Sequence, residues 1–189
     1  MDQMQSSDLG DALLRLARGA IAARLGLEHS VQGQSPNALA EPGATFVTLT
    51  QSGRLRGCIG SLQAHRPLAE DVRENAMAAA FRDARFSPLR REEFAQTQVE
   101  VSLLSAPQPM QFDDEAHALA QIRPGVDGVI LAHADRRATF LPQVWDSLPD
   151  PRRFLAELKH KAGLPADFWS EQLILARYQV TKWREVEEW

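Results

Sequence analysis

A single cysteine, Cys58, stands in a chain of 189 residues. That scarcity excludes an internal disulfide and a zinc site built from cysteines alone within one chain. Long apolar runs are missing too, since no stretch approaches the roughly 18 uninterrupted apolar residues of a membrane helix. The opening Met1-Asp2-Gln3-Met4-Gln5-Ser6-Ser7-Asp8 lacks a basic region followed by an apolar one. No secretory signal is therefore expected, and a cytoplasmic location is. Aromatic residues are few, at 7%, and the net charge is −4. Both argue against sequence-independent nucleic-acid binding, which neutralises phosphates with cations. There is no P-loop, dinucleotide fingerprint, HExxH or GxSxG. The five histidines (His29, His65, His117, His133 and His160) show no metal-ligand spacing, so neither metal nor cofactor is expected.

What is present suits a folded globular chain. Hydrophobic residues make up 44% and charged residues 24%, enough apolar material for a core without a staple. One domain is expected over residues 8–187, in two lobes linked near 105–112, with residues 1–7 a flexible start. Leu13, Leu16, Ala17, Ala20, Ile21 and Leu25 recur at helical spacing, predicting a first helix from about Asp8 to Leu25, ended by Gly26. Glu28 to Gly43, rich in Ser, Gln, Pro and Gly, reads as a surface loop. Thr45–Thr50 and Leu55–Gly60 flank Ser52-Gly53 as a β-hairpin. Pro67 opens a helix whose run of alanines lets another element approach closely. Thr97 to Ser105 alternates as a strand, and Ala106-Pro107-Gln108-Pro109 cannot be a central one. A short helix is expected over Asp113–Ile122, two strands over Asp127–Ala132 and Ala138–Leu141, a helix capped by Asp150-Pro151, and a last strand over Leu173–Val180. The mixture predicts an α+β fold with a largely antiparallel sheet.

The chemistry concentrates around Leu55-Arg56-Gly57-Cys58-Ile59-Gly60. On a regular strand Arg56, Cys58 and Gly60 share one face. A guanidinium at Arg56 would then stand near the sulfur and favour a thiolate, while Gly60 would leave room for a ligand. The competing reading makes Cys58 a small packing residue, as free cysteines commonly are. Gly57-x-x-Gly60 matches the GXXG clamp of KH domains only superficially, because it sits in strand-like surroundings and carries no cation. His65 can be drawn as a base for Cys58 or as a solvated loop histidine. Glu100 and Ser102 either line a cleft or face water, and Arg82-Asp83-Ala84-Arg85-Phe86 is either a salt-bridged turn or an anion-binding pair of arginines. Between Arg54 and Arg91 there are eight arginines against four acids. That local excess favours an anionic small molecule or an acidic partner patch over bulk nucleic acid, with a solvated charged face as the alternative.

The hexapeptide Leu55–Gly60 is the signature of the AMMECR domain family, which in bacteria is protein A of the AmmeMemoRadiSam system, and this sequence resembles that family. The resemblance continues through Glu74-Asn75-Ala76, Ala78–Phe86, Val99–Leu104, Ile122–Gly128, Ala138–Trp145 and Gly163-Leu164-Pro165, covering roughly Asp8 to Glu187. It implies two unequal lobes with the signature near a cleft between them, and a Memo-like, dioxygenase-related protein and a radical-SAM protein as partners. It also implies cleft residues: Cys58 and Glu100 as candidate catalytic groups, with Arg56, Gly57, Gly60, Asn75, Asp83, Arg85, Ser102, Thr139 and Gln143 as candidate ligand-binding ones. The family carries no established reaction. Two function classes follow: an enzyme or enzyme component acting on an anionic small molecule or modified macromolecule, and a binding or scaffold module for the two partners. RNA binding is a weaker third.

Overall fold

Leu9, Leu13, Leu16, Ala17 and Ile21 form the buried stripe of α1 (Gln3–Arg24). The helix begins five residues before the expected Asp8 and ends at Arg24, followed by a turn at Gly26, whose φ of 66° is the left-handed conformation that glycine adopts without strain. The computed structural model describes residues 3–28 and 36–185. The part of the expected surface loop at 29–35 therefore lies outside the described residues, as do residues 1, 2 and 186–189, and Asn37–Ala40 within that loop is a 3₁₀ turn. Among the described residues no helix is long and apolar enough to cross a membrane.

The chain divides into two units, one of residues up to Leu104 with those from Thr181 onward, the other Ser105–Val180. Each has its own four-stranded antiparallel sheet, so the fold is α+β. In the first unit β1 (Ala44–Gln51), β2 (Arg54–Gly60), β3 (Thr97–Leu104) and β8 (Val180–Arg184) lie in the order β2-β1-β3-β8. Val47, Leu49, Val99 and Val101 are fully buried and pack into one core with α1 and α2 (Leu68–Phe81). The alternation of β1 and β3 thus turns one face of the sheet to the helices.

The second unit carries β4 (Gln108–Pro109), β5 (Gly128–His133), β6 (Arg136–Phe140) and β7 (Ile174–Tyr178) in the order β4-β7-β5-β6, with α3 (Glu115–Gln121) and α4 (Pro151–Lys161). Asp150 caps α4 by accepting the Arg153 N–H at 2.9 Å. Phe154 stacks on Trp145 with ring centroids 3.7 Å apart, at the centre of this unit's core. Ser105 N–H donates to the Gln179 carbonyl and Gln179 N–H to Ser105 Oγ, which ties the first turn of the unit to its last.

The single strand expected at 173–180 is two. After β7 the chain continues as β8, whose polar alternation hides its strand character: Thr181, Lys182 and Arg184 are exposed and only Trp183 packs inward. Trp183 fits because Gly10 on α1 has no side chain, and a Cβ there would lie 2.2 Å from the indole.

Close approach of backbone also governs the signature strand. A Cβ on Gly57 would sit 2.2 Å from the Ala79 carbonyl oxygen of α2, the point where the alanine-rich face lets helix and sheet meet. Because that neighbour is main chain, it cannot swing aside. Gly57→Ala is expected to lower stability by about 1–3 kcal/mol, the usual range for overpacking. Urea denaturation checks this, and a change within ~0.5 kcal/mol, as for a surface site, would contradict it.

Candidate functional site

The β1–β2 hairpin turns through Ser52 and Gly53, with φ of 48° and 73°, the pair of left-handed residues required by a two-residue turn that matches strand twist. Its register is Thr48↔Cys58 and Leu49↔Gly57, then Thr50↔Leu55. Arg56 is therefore the extra residue of a β-bulge, and the simple alternation that would set it beside Cys58 breaks there. Its guanidinium instead grips Glu93, in the 3₁₀ segment Arg91–Gln96, through Nε–Oε1 and Nη2–Oε2 contacts of 3.2 Å each.

Cys58 is half-buried on the edge strand of its sheet. Its N–H donates to Asp83 Oδ2 at 2.9 Å, and its carbonyl accepts from Arg85 Nη2 at 3.2 Å. Side chains thus take the place of a neighbouring strand, satisfying an edge that would otherwise be open. Since both main-chain groups of Cys58 point outward, Thr48 and Cys58 form a non-hydrogen-bonded pair, the kind in which side chains stand closest. Thr48 Oγ1 accordingly donates to Sγ at 3.3 Å.

Asp83 has a side chain only 4% exposed and accepts from Arg85 Nε at 3.0 Å and Nη2 at 2.7 Å in addition to Cys58. The Arg85 guanidinium, and next the Cys58 N–H, hold its carboxyl well below the usual carboxylate range. Glu93 also accepts the Arg90 N–H at 2.9 Å, and with Arg56 as the leading cause its carboxyl is lowered to about 2. Arg85, Arg90 and Arg56 join Phe86, Ser87 and Glu93 in lining one cavity of about 630 Å³ that is open to the surface. Arg56 Nη1 is buried and has no hydrogen-bond partner among the described residues.

The other candidates fall in distinct places. Glu100 lies opposite Thr48 on β3, the side of β1 away from Cys58, and accepts from Arg184 Nη2 at 2.8 Å. Cys58 and Glu100 are thus two strands apart, roughly 10 Å between main chains. Ser102 is buried and pairs with Phe46, whose ring covers Gly60. Asn75 Nδ2 donates to the Thr45 carbonyl and to Asp71, inside a buried network in which Asp71 also accepts from Thr45, Ser61 and Arg66. Thr139 and Gln143 belong to the second unit: Thr139 Oγ1 donates to the Val129 carbonyl at 2.9 Å, and Gln143 is exposed. His65 Nδ1 sits 2.9 Å from the Gln63 carbonyl. Among the described residues no group of three His, Cys, Asp or Glu side chains is arranged to hold a metal ion.

Sequence reasoning missed Thr48, Phe86, Ser87 and Glu93 as members of this neighbourhood. For Glu93 a signal existed: the run of excess arginines ends at Arg90-Arg91, followed directly by the acidic pair Glu92-Glu93.

Fold and site together define an α+β protein with an arginine-lined cavity beside a signature edge strand. The AMMECR1 family model matches residues 14–183, and the chain belongs to that family. A protein of Methanothermobacter thermautotrophicus is 36% identical over 188 residues, covering 95% of this chain and 96% of its own. Protein MK0488 of Methanopyrus kandleri is 35% identical over 178 residues, covering 89% and 84%. The crystal structure of the uncharacterized protein PH0010 from Pyrococcus horikoshii superposes with a TM-score of 0.75 at 34% identity, over 93% of this chain and 91% of that one.

The lowered carboxyls make a pH prediction. Between about 4.5 and about 2 the folded state binds fewer protons at Glu93 than the unfolded chain does. Its stabilising effect is complete above the unfolded value and fades as pH falls toward the folded one, and Asp83 acts in the same sense. Glu185, raised by burial, acts in the opposite sense, so the comparison with a variant is the readout. Glu93→Gln should be less stable at neutral pH and show a flatter loss between about pH 5 and pH 3 in urea denaturation. Parallel curves for the two proteins would contradict this.

Proposed function

We propose that the protein binds an anionic ligand in the cavity of Arg56, Arg85 and Arg90. The observation that carries this reading is a wall on which Arg56, Arg85 and Arg90 stand together around one cavity. Guanidinium groups on one wall offer charge-assisted hydrogen bonds to an anion. The cluster is net cationic by one charge, three guanidinium groups against Glu93 on the wall and Asp83 beside Arg85.

Binding is favoured over covalent catalysis by the surroundings of the thiol. Cys58 Sγ receives a hydrogen bond from a hydroxyl donor, while His65 lies by the Gln63 carbonyl and Glu100 is paired with Arg184, so neither the candidate base nor the second candidate catalytic group is hydrogen-bonded to the sulfur. In this reading Cys58 and Glu100 belong to the sheet face and the arginines hold the ligand. The protein acts in the cytoplasm as a component alongside a Memo-like protein and a radical-SAM protein, the context implied by its likeness to protein A of the AmmeMemoRadiSam system.

Thermal unfolding with phosphate, sulfate, citrate and phenyl phosphate at low ionic strength tests the reading. An anion that binds should raise the midpoint by about 3–6 °C at tenfold its dissociation constant. Arg56→Gln and Arg90→Gln, with circular dichroism unchanged, should abolish or sharply reduce the shift, and Cys58→Ser should keep it. No shift with any anion, or an undiminished shift in both arginine variants, would overturn the proposal.

A further inference from the structure

Two of the guanidinium groups on the arginine-lined wall stand largely in water. The side chain of Arg85 is 56% exposed and that of Arg90 77%, whereas Arg56 is 13% exposed and held by Glu93. Arg91, next to Arg90 in the chain, is also exposed and forms no ion pair among the described residues. The depression they border is open to the surface. Sites for small organic molecules bury most of the ligand, which an open depression does not do. An open, arginine-bordered surface suits a chain that lies across it and meets several groups in succession, as acidic motifs meet arginine clusters.

Charge selects the class of partner. The span from Arg54 to Arg91 holds eight arginines against four acids, +4 within a chain of net −4, so the remaining residues carry −8. A long polyanion such as nucleic acid is drawn to the arginines and repelled by the rest, whereas a short acidic segment meets the basic stretch alone. Phe86, half-buried, is the one aromatic among the lining residues, so the wall offers a single apolar contact and no row of rings for stacked bases. Glu93 displays the matching chemistry in place: its carboxylate, carried on a flexible side chain, meets Arg56 through two contacts of 3.2 Å. A planar carboxylate is the natural complement of a guanidinium fork. We infer that the depression is the docking surface for an acidic segment of a partner protein, its carboxylates taken by the exposed tips of Arg85 and Arg90 and one apolar side chain laid on Phe86. The inference rests on the anion-binding reading above and narrows the anion to a carboxylate-bearing peptide.

Fluorescence anisotropy at low ionic strength, with a labelled glutamate-rich peptide carrying one central leucine and an oligothymidylate of equal charge, tests this. The peptide should bind saturably and several-fold more tightly than the oligonucleotide. Replacing its leucine by glutamine should weaken it several-fold, a change that leaves the protein untouched. Arg90→Glu, at a mostly exposed position, should weaken the peptide at least about tenfold with circular dichroism unchanged, and Arg152→Glu, on the second unit, should leave binding as it was. Tighter binding of the oligonucleotide, equal binding of the two peptides, equal losses in the two charge-reversal variants, or self-association in sedimentation velocity that Arg90→Glu abolishes would overturn the acidic-segment inference and leave anion binding standing. So would a peptide that fails to bind while citrate still raises the unfolding midpoint. Failure of peptide and small anions alike would overturn both.

Discussion

The Asp83 carboxylate holds the site together. It receives the Cys58 N–H and three N–H groups of Arg85, and Arg85 in turn reaches the Cys58 carbonyl. One acid and one arginine therefore close the open edge of β2 and fasten to it the segment that follows α2. With that segment anchored at residues 83 and 85, Phe86, Ser87, Arg90 and Glu93 come to line a cavity with Arg56. The anchor is electrostatic and nearly dry on the acid's side, where such contacts are strong. Without it the edge strand would present bare main-chain groups.

The signature hexapeptide is explained largely by what its residues touch. Gly57 admits the Ala79 carbonyl, Gly60 lies beneath the Phe46 ring, and Cys58 is small enough to pair closely with Thr48. Arg56 is set apart by the bulge and belongs to the cavity. The run is thus a packing code with one cation inserted in it. Membership of the AMMECR1 family places the same fold in archaeal relatives at 34–36% identity, where this division of labour can be compared position by position.

Much of the fold was legible. The hairpin, the alternating strand at 97–104, the Asp150-Pro151 start of α4 and the close helix approach at the alanines all follow from local rules that tertiary structure did not override. What was hidden shares a cause: it depends on partners far along the chain. The bulge at Arg56 follows from pairing with β1, and β8 is a strand because β3 offers an edge and Gly10 a place for Trp183. For the candidate site, the arginine excess between residues 54 and 91 includes the three arginines that line the cavity, whereas the idea that Arg56 stands beside the sulfur assumed an unbroken alternation. Period-two reasoning has no means of seeing an inserted residue.

The most direct measurement is a side-chain ¹⁵N–¹H spectrum of the arginines as phenyl phosphate is added. The account predicts saturable shifts at Arg56, Arg85 and Arg90, with Arg66 and Arg123, each bound to its own buried aspartate, staying in place. Shifts spread evenly over all the arginines without saturation, or centred on Arg66 or Arg123, would contradict it.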